Sequence, residues 1–320
     1  MLFAATPNGT RLPVIDVSLP DFAVPTDRVE IDALEAQALA EERGRGPLQR
    51  FALRLILKAI ARQSKLVAAL QAADTGFLSG IATYVMKLGP ANLMAPYNTE
   101  IDKRIAATPI VQAMRIRLAQ VAGLLAQGLA PLLAGNTHPL VILEIAGGPS
   151  ADALNALIDL NRQGLLAGRT AQIVDYDLDR EGPGFAANML AALQTGPLAG
   201  RDISLTLVPG NWSDTVALAK VLAGIPSEAI VAATSEGGLF EYGSDSDIVG
   251  VLNTLRSRID VITGSVTRNA EINRLMRLHS RLKTIPRGLS RFAGLIAPAG
   301  YRVVQSHSAI LSDQVLLTRS

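Results

Sequence analysis

Four short stretches of this 320-residue chain gather acidic, hydroxyl, aromatic or glycine residues: Glu144–Ser150, Asp175–Asp179, Pro209–Asp214 and Thr234–Tyr242. Each suits a particular chemistry. The glycines Gly147 and Gly148 allow backbone amides to come close to a ligand, and Glu144 stands at the entry to that turn. A carboxylate at Asp175 or Asp177 can accept hydrogen bonds from paired ribose hydroxyls. Asn211 or Asp214 can meet an adenine amino group, and Trp212 can cover a ring. Ser235 and Glu236 open the fourth stretch. There Glu236 or Glu241 can serve as a general base, and Tyr176, Trp212, Phe240 and Tyr242 can offer π-faces or oxygens to a cation. Alone, each stretch is also explained as a tight turn or a helix cap. The first lacks the full G-x-G-x-x-G phosphate fingerprint, because alanine stands at 146 and 151.

The elements that must position these residues give the stretches joint meaning. Strands are expected at Leu140–Ile145, Gln172–Asp175, Ser204–Val208, Ala229–Ala233, Asp260–Thr263, Arg302–His307 and Gln314–Thr318. Helical segments separate the first five, and a short turn near Leu311-Ser312 joins the last two. This predicts an α/β fold: a Rossmann-like, seven-stranded, mostly parallel sheet with a terminal antiparallel hairpin. Ligands of such sheets bind outside the carboxyl ends of the strands. The four stretches fall at four successive strand ends, and Ser265 follows the fifth strand.

Residues 1–105 are expected to form an N-terminal arm and a helical lid, and residues 106–320 the catalytic domain. The arm reads as an irregular segment or hairpin around Pro7-Asn8-Gly9. Helices are expected at Asp32–Arg45, Leu48–Ala73 and Thr108–Leu133, with Thr99 as an N-cap before Glu100. Tyr84 and Tyr97 are candidates for lining an acceptor pocket. Arg268 to Arg291 is a basic stretch read as one amphipathic helix with a solvated face.

Composition narrows the chemistry. Hydrophobic residues make up 49%, charged residues 18%, and the net charge is +2, which suits a buried core and gives no argument for a polyanionic partner. The chain has no cysteine, which excludes disulfides, thiolate metal sites and a cysteine nucleophile. His138, His279 and His307 show no metal-ligand spacing, so no metal is expected. The apolar stretch Val121–Gly135 is too short to span a bilayer, and no signal peptide is read. The expectation is a cytoplasmic protein with a small-molecule substrate, without nucleic-acid or membrane partners; a homodimer is left open.

On these motifs the sequence resembles the class I S-adenosylmethionine (SAM)-dependent methyltransferases. Glu144–Ser150 resembles their first motif, which cradles the methionine part, although Ala146 and Ser150 replace usual glycines. Asp175 or Asp177 resembles the ribose-binding acid, Gly210-Asn211-Trp212 the adenine loop, and Ser235–Tyr242 the motif beside the transferred methyl group. The resemblance implies SAM as cofactor. It implies Glu144, Gly147, Gly148, Asp175, Asp177, Asn211, Trp212 and Ser235 as its binding residues, with Glu236, Tyr242, Tyr176 and Ser265 nearest the chemistry. It implies methyl transfer to a small-molecule acceptor. The alternative is the reaction of azetidine-2-carboxylate synthases, which are methyltransferase-like proteins: SAM's own α-amine attacks its γ-carbon and methylthioadenosine leaves. Asn211, Tyr242 and Ser265 are the candidate contacts for that chemistry.

Overall fold

The computed structural model describes residues 1–46, 48–49, 56, 59–71, 78–278 and 282–320. The chain opens with a hairpin of β1 (Phe3–Ala5) and β2 (Arg11–Pro13). Its turn is the Pro7-Asn8-Gly9 segment. Gly9 takes φ +86°, and the buried Thr6 hydroxyl accepts from the Thr10 amide at 3.0 Å.

The main sheet contains β3 (Leu140–Ile145), β4 (Thr170–Asp177), β5 (Asp202–Pro209), β6 (Ile230–Ser235), β7 (Val261–Thr267), β8 (Tyr301–Ser308) and β9 (Ser312–Arg319). Their order is β5-β4-β3-β6-β7-β9-β8. The first five in that order are parallel, and β9 runs antiparallel to both β7 and β8. This is the expected Rossmann-like α/β sheet. β3 is buried along its whole length, as a strand covered on both faces must be. The chain winds outward from β3 to β5, then returns to β6, so the strand order reverses between β3 and β6.

Alternation along the strands divides the core into two layers. Leu140 and Ile142 of β3 join Ile173, Ala232 and Val261 under helices Pro109–Leu133, Ala151–Arg162 and Glu181–Leu193. Val141, Leu143 and Ile145 face the other way, toward helices Thr215–Ala223, Asp245–Leu255 and Gly288–Ile296. The first layer also takes in Leu12, Phe22, Leu66, Tyr84 and Leu88 from the N-terminal third.

Several local expectations need correction. The first helix spans Arg28–Arg43 and starts at Asp27, whose carboxylate accepts from the Val29 amide at 2.8 Å. Much of Leu48–Ala73 lies outside the described residues. Within the rest, a turn at 61–63 precedes helix Lys65–Gln71, so the segment is not one helix. Ser64 breaks it: its hydroxyl donates to Asp102 and accepts from the Val67 amide at 3.0 Å. The basic stretch is also broken, into helices Glu271–Met276 and Gly288–Ile296. Helix Pro109–Leu133 is longer than the apolar run read from the sequence: its 25 residues suffice, by length and composition, to cross a membrane. It packs on β7, β9 and helix Ala151–Arg162 as a core helix.

Candidate functional site

Register places a row of polar residues across the carboxyl end of the sheet. Asp175 of β4 pairs with Glu144 of β3, Glu144 with Thr234 of β6, and Thr234 with Thr263 of β7. All four side chains are fully buried. Asp152, from the first turn of helix Ala151–Arg162, meets the row from above. Its carboxylate accepts from the Thr234 hydroxyl at 2.5 Å, and the Thr263 hydroxyl donates to Thr234 at 2.9 Å. Ser150 donates to Asp175 at 2.7 Å. Both oxygens of Glu144, Oδ1 of Asp152 and Oδ1 of Asp175 find no hydrogen-bond donor among the described residues.

With no cation in contact among the described residues, three carboxyls this close favour the protonated form. Burial raises Glu144 well above the usual carboxylate range, and Asp152 and Asp175 add to the effect. Asp152 is raised by burial and by Glu236. Burial pushes Asp175 up to about 8, against the Ser150 hydroxyl. A protonated Glu144 can donate to Asp152, and the proton then belongs to the pair.

The turn after β3 lies directly over this row. A Cβ on Gly147 would run into the Glu144 carboxyl, so only glycine fits there. Ala146 and Ser150 both adopt positive φ, at 53° and 48°, in addition to Gly148 at 62°. The two positions where the family resemblance expects glycine therefore keep a left-handed backbone despite carrying side chains. The Gly148 amide donates to the Asp177 carboxylate at 2.9 Å, tying the turn to β4.

β4 runs two residues further than expected, so Asp175 and Asp177 both lie within it. Alternation puts them on one face at different depths: Asp175 in the buried row, Asp177 at the strand's last residue. Asp179 joins three elements. Its carboxylate accepts from the amides of Glu181 and Gly182, at 3.0 and 3.3 Å, and from that of Gly80 at 3.3 Å. It thus caps helix Glu181–Leu193 and anchors the start of helix Gly80–Lys87. Gly80 and Gly182 are both packed against Gly148.

Tyr176 points to the opposite layer. Its ring fills the space under Gly210, and its hydroxyl donates to the Asn211 carbonyl at 3.0 Å. Asn211 is exposed, with its side-chain oxygen turned back onto the Ser213 amide at 3.0 Å, while Trp212 is half-buried. Leu178 and Val216 are exposed apolar side chains beside this loop.

Beyond the reversal point the charges are compensated. Glu236, buried after β6, is ion-paired with Lys87 from the end of helix Gly80–Lys87 and with Arg117 of the long helix. Arg117 also reaches Glu241 at 3.2 Å. Burial alone would raise Glu236, but Arg117 and Lys87 outweigh it and lower it below the usual range. A carboxylate held by two cations is a poor proton acceptor. Burial and Glu241 raise Tyr242. Ser235 donates to the Ile145 carbonyl at 2.7 Å and accepts from the Leu239 amide at 2.8 Å, locking the loops after β3 and β6 together. Ser265 lies within β7, not after it, and accepts from the Gly237 amide at 2.8 Å.

The structure therefore brings together Glu144, Gly147, Gly148, Asp175, Asp177, Ser235 and Glu236 around the reversal point. Tyr176, Asn211 and Trp212 form a second group at the β4–β5 edge. Tyr84 is fully buried, with its hydroxyl accepting from the Ile15 amide and donating to the Pro13 carbonyl, both at 2.8 Å, so it fastens the arm and lines no pocket. Lys87, Arg117 and Asp152 escaped the sequence reading, and Asp179 entered it only as the end of the Asp175–Asp179 stretch. Asp152 was open to discovery, since it lies two residues beyond the glycine turn; the others belong to elements whose approach no local pattern encodes. Carboxyls with spare oxygens thus lie beneath a glycine turn, and an exposed acid-and-apolar edge stands beside it.

No family model and no curated protein matches the sequence. Among solved structures, similarity is found to magnesium protoporphyrin IX methyltransferase from Synechocystis PCC 6803 with bound SAH, at 13% identity and TM-score 0.45, covering 66% of this chain and 87% of that one. The complex of LepI with SAM aligns at 13% identity and TM-score 0.46, covering 92% and 95%. N,N-8-amino-8-demethyl-D-riboflavin dimethyltransferase from Streptomyces davawensis aligns at 15% and 0.41, covering 80% and 70%.

Proposed function

We propose that this protein is a SAM-using enzyme that transfers the methyl group to a small-molecule acceptor. One observation carries the reading: the Gly147-Gly148 turn is bonded to the terminal acid of β4 at the point where the strand order reverses. In this reading Asp177 holds the ribose, because Asp175 is sunk in the buried row and Asp177 stands at the strand end. Leu178, Trp212 and Val216 give the adenine an apolar seat, and the glycine turn itself borders the methionine end. Bound SAM supplies an already activated sulfonium carbon, so the chain's task is to align the acceptor and keep water out. Glu236 then sets the field and the loop position and does not take the proton. Beside the end of β7 and the start of β9, a cavity of about 500 Å³ lined by Arg268, Asn269, Ser290 and Arg291 offers a polar acceptor space.

Calorimetry with SAM and S-adenosylhomocysteine tests the proposal. Both are expected to bind, and Asp177→Asn is expected to weaken both by about tenfold to a hundredfold, the loss of a charge-assisted contact. No heat with either ligand, from a demonstrably folded sample, overturns it.

Intramolecular cyclisation to azetidine-2-carboxylate is the second reading. One observation favours it: Gly80 and Gly182 press against Gly148, which leaves little room for an acceptor at that end of the turn. Incubation with SAM alone separates the two. Methylthioadenosine and a cyclic imino acid support cyclisation; no turnover until an acceptor is added supports methyl transfer.

A further inference from the structure

We propose that the buried Glu144–Asp152–Asp175 group exchanges a proton for the ligand's positive charge, so that binding of a cationic ligand releases a proton that a neutral analogue leaves in place. The inference rests on the SAM reading of the site and adds the linkage to it.

The geometry has three parts. The carboxyls come from three different elements, β3, helix Ala151–Arg162 and β4, and all are at 0% exposure. Four of their oxygens have no donor among the described residues, so the group is under-bonded when ionised. The Gly147 turn rests directly on Glu144, which puts the group immediately below the surface that the proposed ligand would occupy. The charged neighbours are Asp177 and Asp179 on the β4 side, and Glu236 and Lys87 on the other. Lys87 is already ion-paired with Glu236 and makes no ion pair with the three carboxyls. The hydroxyls of Ser150 and Thr234 support single oxygens but bring no charge.

A buried acid group of this kind stays neutral by holding protons, at the cost of offering little attraction to a cation. A sulfonium arriving above Gly147 favours the ionised form and drives a proton off, as any opposite charge does. SAM carries one more positive charge at sulfur than S-adenosylhomocysteine. The proton balance is simple: one carboxyl O–H ionises, the carboxylate stays, and the proton goes to solvent buffer. Burial that holds Asp175 near 8 makes the exchange effective at neutral pH.

The test is calorimetry of the full chain at pH 7 in buffers of differing ionisation enthalpy, with SAM and S-adenosylhomocysteine run in parallel. SAM is expected to release up to about one proton more than the neutral analogue, and its affinity, relative to that analogue, to rise by up to about tenfold per pH unit between about 6 and 8. Asp175→Asn, which cannot ionise, is expected to lose most of that difference while still binding both ligands. If that variant does not fold, Glu144→Gln serves instead, and the wild-type buffer series decides by itself. Equal proton release for both ligands overturns the inference while leaving the SAM reading intact. No binding of either ligand removes the reading on which it rests.

Discussion

Two acidic groups share the carboxyl edge of one sheet, yet they solve burial in opposite ways. Glu236 and Glu241 sit in an alternating chain of charges with Lys87 and Arg117. Glu144, Asp152 and Asp175 have no cation in contact among the described residues and are supported by hydroxyls. Identical chemistry is thus driven in opposite directions, Glu236 below the carboxylate range and Glu144 far above it. The difference shows that ionisation at this edge depends on what the helices bring to it. The compensated side is fixed in charge and suits positioning. The uncompensated side retains the freedom to change its charge.

The largest test of this contrast is Glu236→Ala, which leaves Lys87 buried beside a missing partner. A loss of about 3–5 kcal/mol is expected in urea unfolding. The Lys87→Met/Glu236→Ala double variant is expected to lose less than the sum of the single changes, because the pair acts as a unit. Additive losses would dissolve the distinction between the two sides.

The uncompensated side makes an opposite-signed prediction with pH. Asp175 has a folded value near 8, above its unfolded value, so the folded state holds the proton longer. Its contribution is fully present at low pH and is lost as pH rises between about 4 and 8, by at most about 1.4 kcal/mol per pH unit. Asp175→Asn is expected to flatten that slope in unfolding curves taken across this range. An unchanged slope would place the titrating group elsewhere.

Gly147→Ala forces a methyl group onto Glu144 and is expected to cost about 1–3 kcal/mol. It should weaken nucleoside binding more than Gly300→Ala, which strains a positive-φ turn and strikes Arg256 ahead of β8. Equal effects on binding would show that the turn is merely structural. The smallest expected effect is Ser265→Ala: losing the acceptor of the Gly237 amide should cost about 1 kcal/mol, read as a shift in thermal midpoint.

The strands, their alternation and the four loops at their ends were legible in the sequence, because each rests on a local pattern. Continuous apolar runs such as Leu140–Leu143 mark doubly covered strands, and turn residues mark their ends. Strand lengths were less legible. β4 and β7 run on past their apolar runs, because polar Asp177 and Ser265 meet neighbours distant in sequence. The ion pairs of Glu236 were illegible for the same reason: nothing near it in sequence announces Lys87 or Arg117.

What the sequence determined by itself is the alternation of strand and helix, and hence a sheet with glycine and carboxylates along one edge. Local sterics and burial demand that much. Which carboxylates hold protons, which are locked in ion pairs, and which serine merely braces a loop were decided only by tertiary structure. These properties depend on the distance and charge of side chains from β3, β4, β6 and the helices beside them, and such distances exist only once the chain has folded.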